Sequence, residues 1–242
     1  MKTLTIYYYS GTGRTAAFVR QLAQKLGGKF DLDIIRLEKS SAGRGENCIV
    51  AYPLYAGKTP APVLHFLKSG IIEGHRRLIL LAGCSFAFFA KAHLRAITRL
   101  SFREGIGIDG FHYFHLPSRL RIAHFFQKIS MADSQKTEAA QICSEIVSGN
   151  TKLPLNMGFN IIAAFIGIFY NLVLGLQMKR LRVSGGCIRC GRCIRNCPAN
   201  NIEMFRGIQF DKNCVHCFRC VSLCPVKAIS FPGNETFFDL RG

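Results

Sequence analysis

Eight of the chain's 11 cysteines fall between Cys187 and Cys224, and their spacing is the most specific chemical signal in the 242 residues. Cys187-x-x-Cys190-x-x-Cys193-x-x-x-Cys197-Pro198 recurs 27 positions later as Cys214-x-x-Cys217-x-x-Cys220-x-x-x-Cys224-Pro225, and Ile202 and Ile229 keep the same offset. The segment is an internal duplication. Three thiolates at intervals of three wrap one corner of an iron-sulfur cubane, and the fourth, just ahead of a proline that turns the chain away, is directed to the other cluster. On that logic Cys187, Cys190, Cys193 and Cys224 hold one 4Fe-4S cluster, and Cys214, Cys217, Cys220 and Cys197 hold the second. Two structural zinc sites would also use C-x-x-C pairs, but zinc requires neither a third cysteine at the same interval nor the following proline. Ile188, Ile194, Val215, Val221, Ile202 and Ile229 are expected to line the clusters.

A second constellation lies near the start, where the apolar run Leu4 to Tyr9 leads into Ser10-Gly11-Thr12-Gly13-Arg14-Thr15 and then a helix-forming stretch. A strand, a small-residue loop and a helix start make an anion site, because free backbone N–H groups and the positive end of the helix dipole meet there. Gly11-x-Gly13-x-x-Ala16 satisfies a loose dinucleotide fingerprint, with Glu38 near the place of a ribose-binding acid. The interleaved hydroxyls of Ser10, Thr12 and Thr15 favour a terminal phosphomonoester instead.

Those elements follow from the surrounding pattern. From Leu4 to Ser148 short apolar runs alternate with helix-length segments, which is how a βα repeat with a parallel sheet reads. Strands are expected over Leu4 to Tyr9, Leu32 to Leu37, Cys48 to Tyr52, Leu78 to Gly83 and Gly107 to Phe114, with a helix over Thr15 to Leu26. The fold class is an α/β doubly wound five-stranded parallel sheet, followed by a small α+β cysteine-rich domain. The expected domains are 1–150, an apolar helical linker over 151–184, and 185–242.

Two resemblances sharpen this picture. Residues 185 to 232 resemble bacterial-type two-cluster ferredoxin domains, with no cysteine of that pattern missing. Residues 1 to 149 resemble flavodoxins, through the hydroxyl-rich loop, the five-strand pattern, and the loops Tyr52-Pro53-Leu54-Tyr55-Ala56-Gly57 and Ala82-Gly83-Cys84-Ser85-Phe86. That likeness implies FMN, with its phosphate at Ser10, Gly11, Thr12, Gly13, Arg14 and Thr15. It implies an isoalloxazine cradled by Tyr52, Pro53, Leu54, Tyr55, Ala56, Gly83, Cys84, Ser85 and Phe86, with Tyr55 the first candidate to stack. Cys84 lies near that position but is read as a small core residue, and Cys48 and Cys143 as buried fillers.

Charge bears on partners. Lys and Arg number 32 against 14 Asp and Glu, a net +18. This points to an acidic redox partner protein or an anionic membrane face, while the dispersed basic residues and absence of a recognition motif argue against nucleic acid. Arg119 to Ile129 is basic and amphipathic, and Met157 to Leu176 is uncharged with a stripe of small and weakly polar residues, so 119–129 and 157–176 are candidates for peripheral membrane contact. The second also suits an interdomain groove. Met1-Lys2-Thr3 runs straight into apolar residues without a cleavage site, and clustered cysteines suit a reducing compartment, so a cytoplasmic location is expected.

The whole resembles the flavodoxin-ferredoxin fusion proteins of anaerobic bacteria and archaea. The resemblance implies an electron carrier that passes electrons between FMN, two 4Fe-4S clusters and an external partner. The alternative is a flavin-dependent reductase of a small substrate or quinone, for which His112 and His115 sit where a substrate site would form. Anaerobically isolated protein is expected to contain about eight iron atoms and no stoichiometric zinc, measured by metal analysis; about four iron atoms with all cysteines intact would overturn the two-quartet reading.

Overall fold

The computed structural model describes residues 1–39, 43–55, 57–84, 87–116, 135–149, 181–215 and 217–230. The first half is built on strands β1 (Lys2–Tyr8), β2 (Phe30–Arg36), β3 (Asn47–Pro53), β4 (Arg77–Cys84) and β5 (Gly110–His115). All pair in parallel in the order β2-β1-β3-β4-β5. Helices α1 (Arg14–Leu26), α2 (Ala61–Leu67), α3 (Ala87–Glu104) and α4 (Gln135–Ser148) lie between or after them. This is the flavodoxin-like doubly wound order, which reverses direction between β1 and β3.

Side-chain alternation explains the two helical layers. In β3, Cys48, Val50 and Tyr52 enter one core with Val63 and Phe66 of α2 and Leu94 and Ile97 of α3. Ile49 and Ala51 enter the other with Phe18 and Leu22 of α1 and Ile142 and Cys143 of α4. Both faces are covered, so the central strands are apolar without a polar side, as a buried parallel sheet requires. Phe18 stacks on Phe114 with centroids 3.9 Å apart and planes 6° from parallel, fastening α1 to the β5 edge.

Element types agree with the sequence pattern, and the ends move for identifiable reasons. β5 begins at Gly110 rather than Gly107 because Asp109 is the entry clamp: its N–H donates to Leu78 O at 2.9 Å and its Oδ2 accepts the Leu78 N–H at 2.8 Å. β2 stops at Arg36 because Leu37–Lys39 turn into a 3-10 segment. Tyr9 lies past β1 but still donates its N–H to Ala51 O at 2.9 Å.

The cysteine-rich half has strands β6 (Arg182–Val183), β7 (Ile202–Met204), β8 (Ile208–Phe210) and β9 (Ile229–Ser230), with one-turn helices α5 (Arg192–Arg195) and α6 (Arg219–Ser222). Antiparallel β6 pairs with β9, and β7 with β8. Arg182 and Val183, assigned above to the helical linker, are therefore strand; their partners lie near the far end of the repeat, where sequence periodicity is silent. Residues 151–180 and 119–129, which carry the linker, the apolar segment and the basic amphipathic segment, lie outside the described residues. Among the described residues no helix is long and apolar enough to cross a membrane.

One polar group sits inside the first core. His93 of α3 is 1% exposed, with Nε2 2.8 Å from Thr59 Oγ1 and 3.4 Å from the Tyr52 hydroxyl, and Nδ1 3.3 Å from the Tyr113 hydroxyl. Burial lowers its pKa to about 3, so the ring is neutral in the folded protein while an unfolded histidine titrates near about 6.5. The unfolded state alone gains a proton on acidification. Stability is therefore complete above about pH 6.5 and falls by up to about 1.4 kcal/mol per pH unit toward pH 3. Urea midpoints at about pH 7 and about pH 5 test this, and His93→Gln is expected to flatten the difference by that slope.

Candidate functional site

The duplication is conformational as well as sequential. Gly191 and Phe218, 27 residues apart, both adopt left-handed backbone (φ 68° and 55°), as do Asn200 and Lys227 (φ 47° and 51°). Each pair sits at a matching bend around a cysteine. The Asn201 N–H donates to Cys197 Sγ at 3.3 Å and the Ala228 N–H to Cys224 Sγ at 3.2 Å, again 27 apart. Both donors face the proline-preceding cysteine of their repeat, and N–H···S bonds favour thiolate and raise cluster potentials.

The repeats then exchange these cysteines. One cavity is lined by Cys187, Cys190, Cys193 and Cys224 together with Ile188 and Ile229. The other is lined by Cys197, Cys214, Cys217 and Cys220 together with Ile202, Val215 and Val221. Each cavity is lined by three cysteines from one repeat and one from the other. None of the eight is in a disulfide. Among the described residues no three His, Cys, Asp or Glu converge on one metal ion; the cysteines surround a cavity, and four thiolates in an apolar shell suit a cubane. Burial pushes the Cys193, Cys217 and Cys220 thiols up, so ligation there releases protons.

The loop Ser10 to Thr15 leaves the carboxyl end of β1, next to the reversal of strand order where open α/β sheets bind ligands. Ser10 and Thr15 are buried, and Ser10 Oγ accepts the Ala16 N–H at 3.4 Å. Gly13 caps α1 at φ 88° with no side-chain cap bond, and no acidic residue lies in the first turn. Nothing stands within 4 Å of where a Gly13 Cβ would be. Thr12 and Gly13 thus form an open helix start without competing negative charge, and this fits a phosphate.

Gly11 has a different reason. A Cβ there would stand 2.7 Å from the Cys217 carbonyl oxygen and 2.4 Å from the Tyr55 hydroxyl. The cysteine loop of the second half lies on the Ser10 to Thr15 loop of the first, and only glycine leaves room for it. Tyr55 is turned inward, edge-on to Tyr9 with centroids 6.4 Å apart, and its backbone pairs with Lys58. Tyr52 is fully buried; Pro53 ends β3; Leu54 donates its N–H to Gly83 O at 2.7 Å; Gly83 and Cys84 end β4. Ala56, Ser85 and Phe86 lie outside the described residues.

Arg219 joins the two halves. The guanidinium is 4% exposed, and Nη2 donates to Ser10 O at 3.0 Å and to Glu38 Oε1 at 2.5 Å. Its Cζ lies 5.1 Å from the centroid of the Tyr9 ring. Glu38, which the dinucleotide fingerprint would give to a ribose, is engaged by Arg219 and Arg36. Arg219 holds the same place in its repeat as the exposed Arg192, and only tertiary packing distinguishes the two. His112 pairs with Glu145 at 3.0 Å on α4 and is no free substrate group, while the enclosed His93 went unremarked in the sequence. Cys48, Cys84 and Cys143 are buried, and burial pushes Cys48 up to about 12.

Residues 186–228 match the family model of the 4Fe-4S dicluster domain. The chain joins a flavodoxin-like fold to a 4Fe-4S dicluster domain. In sequence it is similar to the protein NrdI of Bartonella tribocorum, 42% identical over 70 residues, which is 27% of this chain. The chain spans about half (48%) of that relative's length. Among solved structures it is similar to a short-chain flavodoxin associated with a PDU bacterial microcompartment (11% identity, 62% of this chain and all of that one, TM-score 0.44). The two-electron reduced flavodoxin of Megasphaera elsdenii gives 15% identity over 57% of this chain and 97% of that one, with TM-score 0.38. The strand order itself carries the fold assignment.

Replacing Glu38 with Gln leaves the buried guanidinium a neutral acceptor in place of a carboxylate. Glu38→Gln and Arg219→Gln are each expected to cost about 1.5–3 kcal/mol at the contact. Hydrogen exchange should show faster opening at both Ser10 to Thr15 and Cys217 to Ser222, with the β4 core unchanged.

Proposed function

We propose that this chain is an electron carrier in which FMN, bound by its phosphate at the loop Ser10 to Thr15, exchanges electrons with two 4Fe-4S clusters and, through them, with an external redox partner. Cys187, Cys190, Cys193 and Cys224 are the ligands of one cluster, and Cys197, Cys214, Cys217 and Cys220 of the other. The observation that carries this reading is the seating of the Cys217 loop directly on Gly11, at the switch point where the fold offers its ligand site.

When bound, the clusters supply one-electron steps and the flavin a two-electron store. The protein's own residues do the rest. Thr12 and Gly13 present hydroxyl and backbone donors to a phosphate, and Arg14 to Leu26 directs its dipole there. Gly11 lets the Cys217 backbone approach, and Arg219 holds it through Ser10 and Glu38. One chain thus keeps the second quartet beside the loop at high effective concentration, with no diffusion step between carriers. The reductase alternative gains no support from His112, which is paired with Glu145; His115, its other candidate, ends β5.

Thr12→Val removes a donor and is expected to weaken FMN binding about tenfold, with iron content unchanged. Gly13→Val is expected to weaken it further, because a β-branched residue resists φ 88°. Fluorescence titration of flavin and iron analysis on the same preparations check both. Tight NADPH binding without FMN binding would overturn the flavin assignment.

A further inference from the structure

The repeats agree in backbone and disagree in exposure, and that disagreement separates the two quartets by role. At equivalent positions Cys190 is exposed and Cys217 buried. Arg192 is exposed, whereas its counterpart Arg219 is 4% exposed and spent on Ser10 and Glu38. The second quartet therefore touches the Ser10 to Thr15 loop through Cys217. The cavity of the first is lined by no described residue of the sheet unit; exposed Arg189 and Arg192 stand in its wall with Ile188 62% and Val226 42% exposed, and exposed Lys227 follows Val226 in the chain. No acidic residue lines it. Arg195 also lies here, but its Nη2 donates to Cys190 O at 2.9 Å and shapes the loop.

Resting on the two-cluster reading above, we infer that this face is the docking surface for an acidic electron-transfer protein, and that the cluster of Cys187, Cys190, Cys193 and Cys224 is the port through which electrons enter or leave. An apolar centre at Ile188 and Val226 within a basic rim is the charge complement of an acidic carrier that exposes its own redox centre. The step is balanced: the reduced partner gives up one electron and is oxidised, the port cluster takes up that electron, and no proton or covalent bond changes. The second quartet, whose Cys217 is buried against Gly11, then stands next to the Ser10 to Thr15 loop. The order partner, first cluster, second cluster, flavin site follows from the contrast between exposed Cys190 and buried Cys217 together with that contact.

The test uses the full-length holoprotein and a reduced acidic two-iron plant-type ferredoxin as probe, with photoreduced deazariboflavin as an uncharged donor. Arg189→Glu with Arg192→Glu is compared with Arg206→Glu plus Lys212→Glu, which reverses the same number of charges elsewhere in the cysteine-rich unit. The first pair is expected to weaken equilibrium binding of the ferredoxin and slow cluster reduction by about tenfold or more at about 50 mM salt, with the gap closing at about 500 mM. Reduction by deazariboflavin and iron content should not change, and the control pair should stay within about twofold of the unsubstituted protein. Equal rates and affinities, or an equal loss in the control pair, would overturn the proposal. So would loss of co-sedimentation with phosphatidylglycerol vesicles while ferredoxin binding persists, since that assigns the patch to a bilayer. If the double reversal loads less iron, Arg192→Gln alone must flatten the salt dependence of the rate; an unchanged slope overturns the port. Iron well short of about eight atoms in the unsubstituted protein would sink the two-cluster reading itself, a result separate from any loss of docking.

Discussion

A guanidinium taken out of water must find partners for its charge, and Arg219 finds them only because two separately built units meet. Its acceptors are a backbone carbonyl at the end of β1 and a carboxylate just after β2, and the Tyr9 ring lies beneath it. The same contact brings the Cys217 carbonyl over Gly11. If the units parted, Arg219 would return to water and Cys217 would lose its position beside the Ser10 to Thr15 loop. A buried charge pair of this kind contributes little net stability against an apolar equivalent, but it penalises mispairing strongly and so specifies orientation. For a carrier whose centres must stay close, orientation is the property that matters.

The consequence for the sheet unit is a division between its two faces of the same edge. The loop after β1 and Glu38 after β2 meet the cysteine-rich half, whereas Thr12 and Gly13 stay open at the start of α1. The N-terminal fold therefore uses one glycine for contact with protein and the other for a conformation L side chains resist. A motif that reads as a single phosphate signature serves two separate steric demands.

How far the sequence reached differs by the kind of information involved. The quartets were legible because ligand spacing and the following prolines are local, and the 27-residue repeat states the exchange twice. The five strands were legible because both faces of the sheet are buried, which leaves continuous apolar runs such as Cys48 to Tyr52. Arg219 was not, since Arg192 and Arg219 occupy the same place in the motif and differ only in what packs against them. Glu38 was misdirected by spacing toward a ribose, and the pairing of β6 with β9 joins residues 46 apart with no local periodicity. His93 sits in a helix among apolar neighbours, and nothing about a lone histidine announces three hydroxyls waiting around it.

The strand pairing of the cysteine-rich half also sets a timetable for making the protein. Each small hairpin takes one strand from each repeat, β6 with β9 and β7 with β8, so neither repeat is a complete unit. A nascent chain that has emerged only as far as Cys197 holds four of the eight clustered cysteines, of which Cys197 belongs to a cavity whose other cysteines are not yet synthesised. β6 waits for almost the whole remaining unit to leave the ribosome before it has a partner. Both two-stranded sheets and both cysteine-lined cavities thus draw on residues from Leu181 to Ser230, and the Arg219 that meets Ser10 and Glu38 comes from the late part of that span.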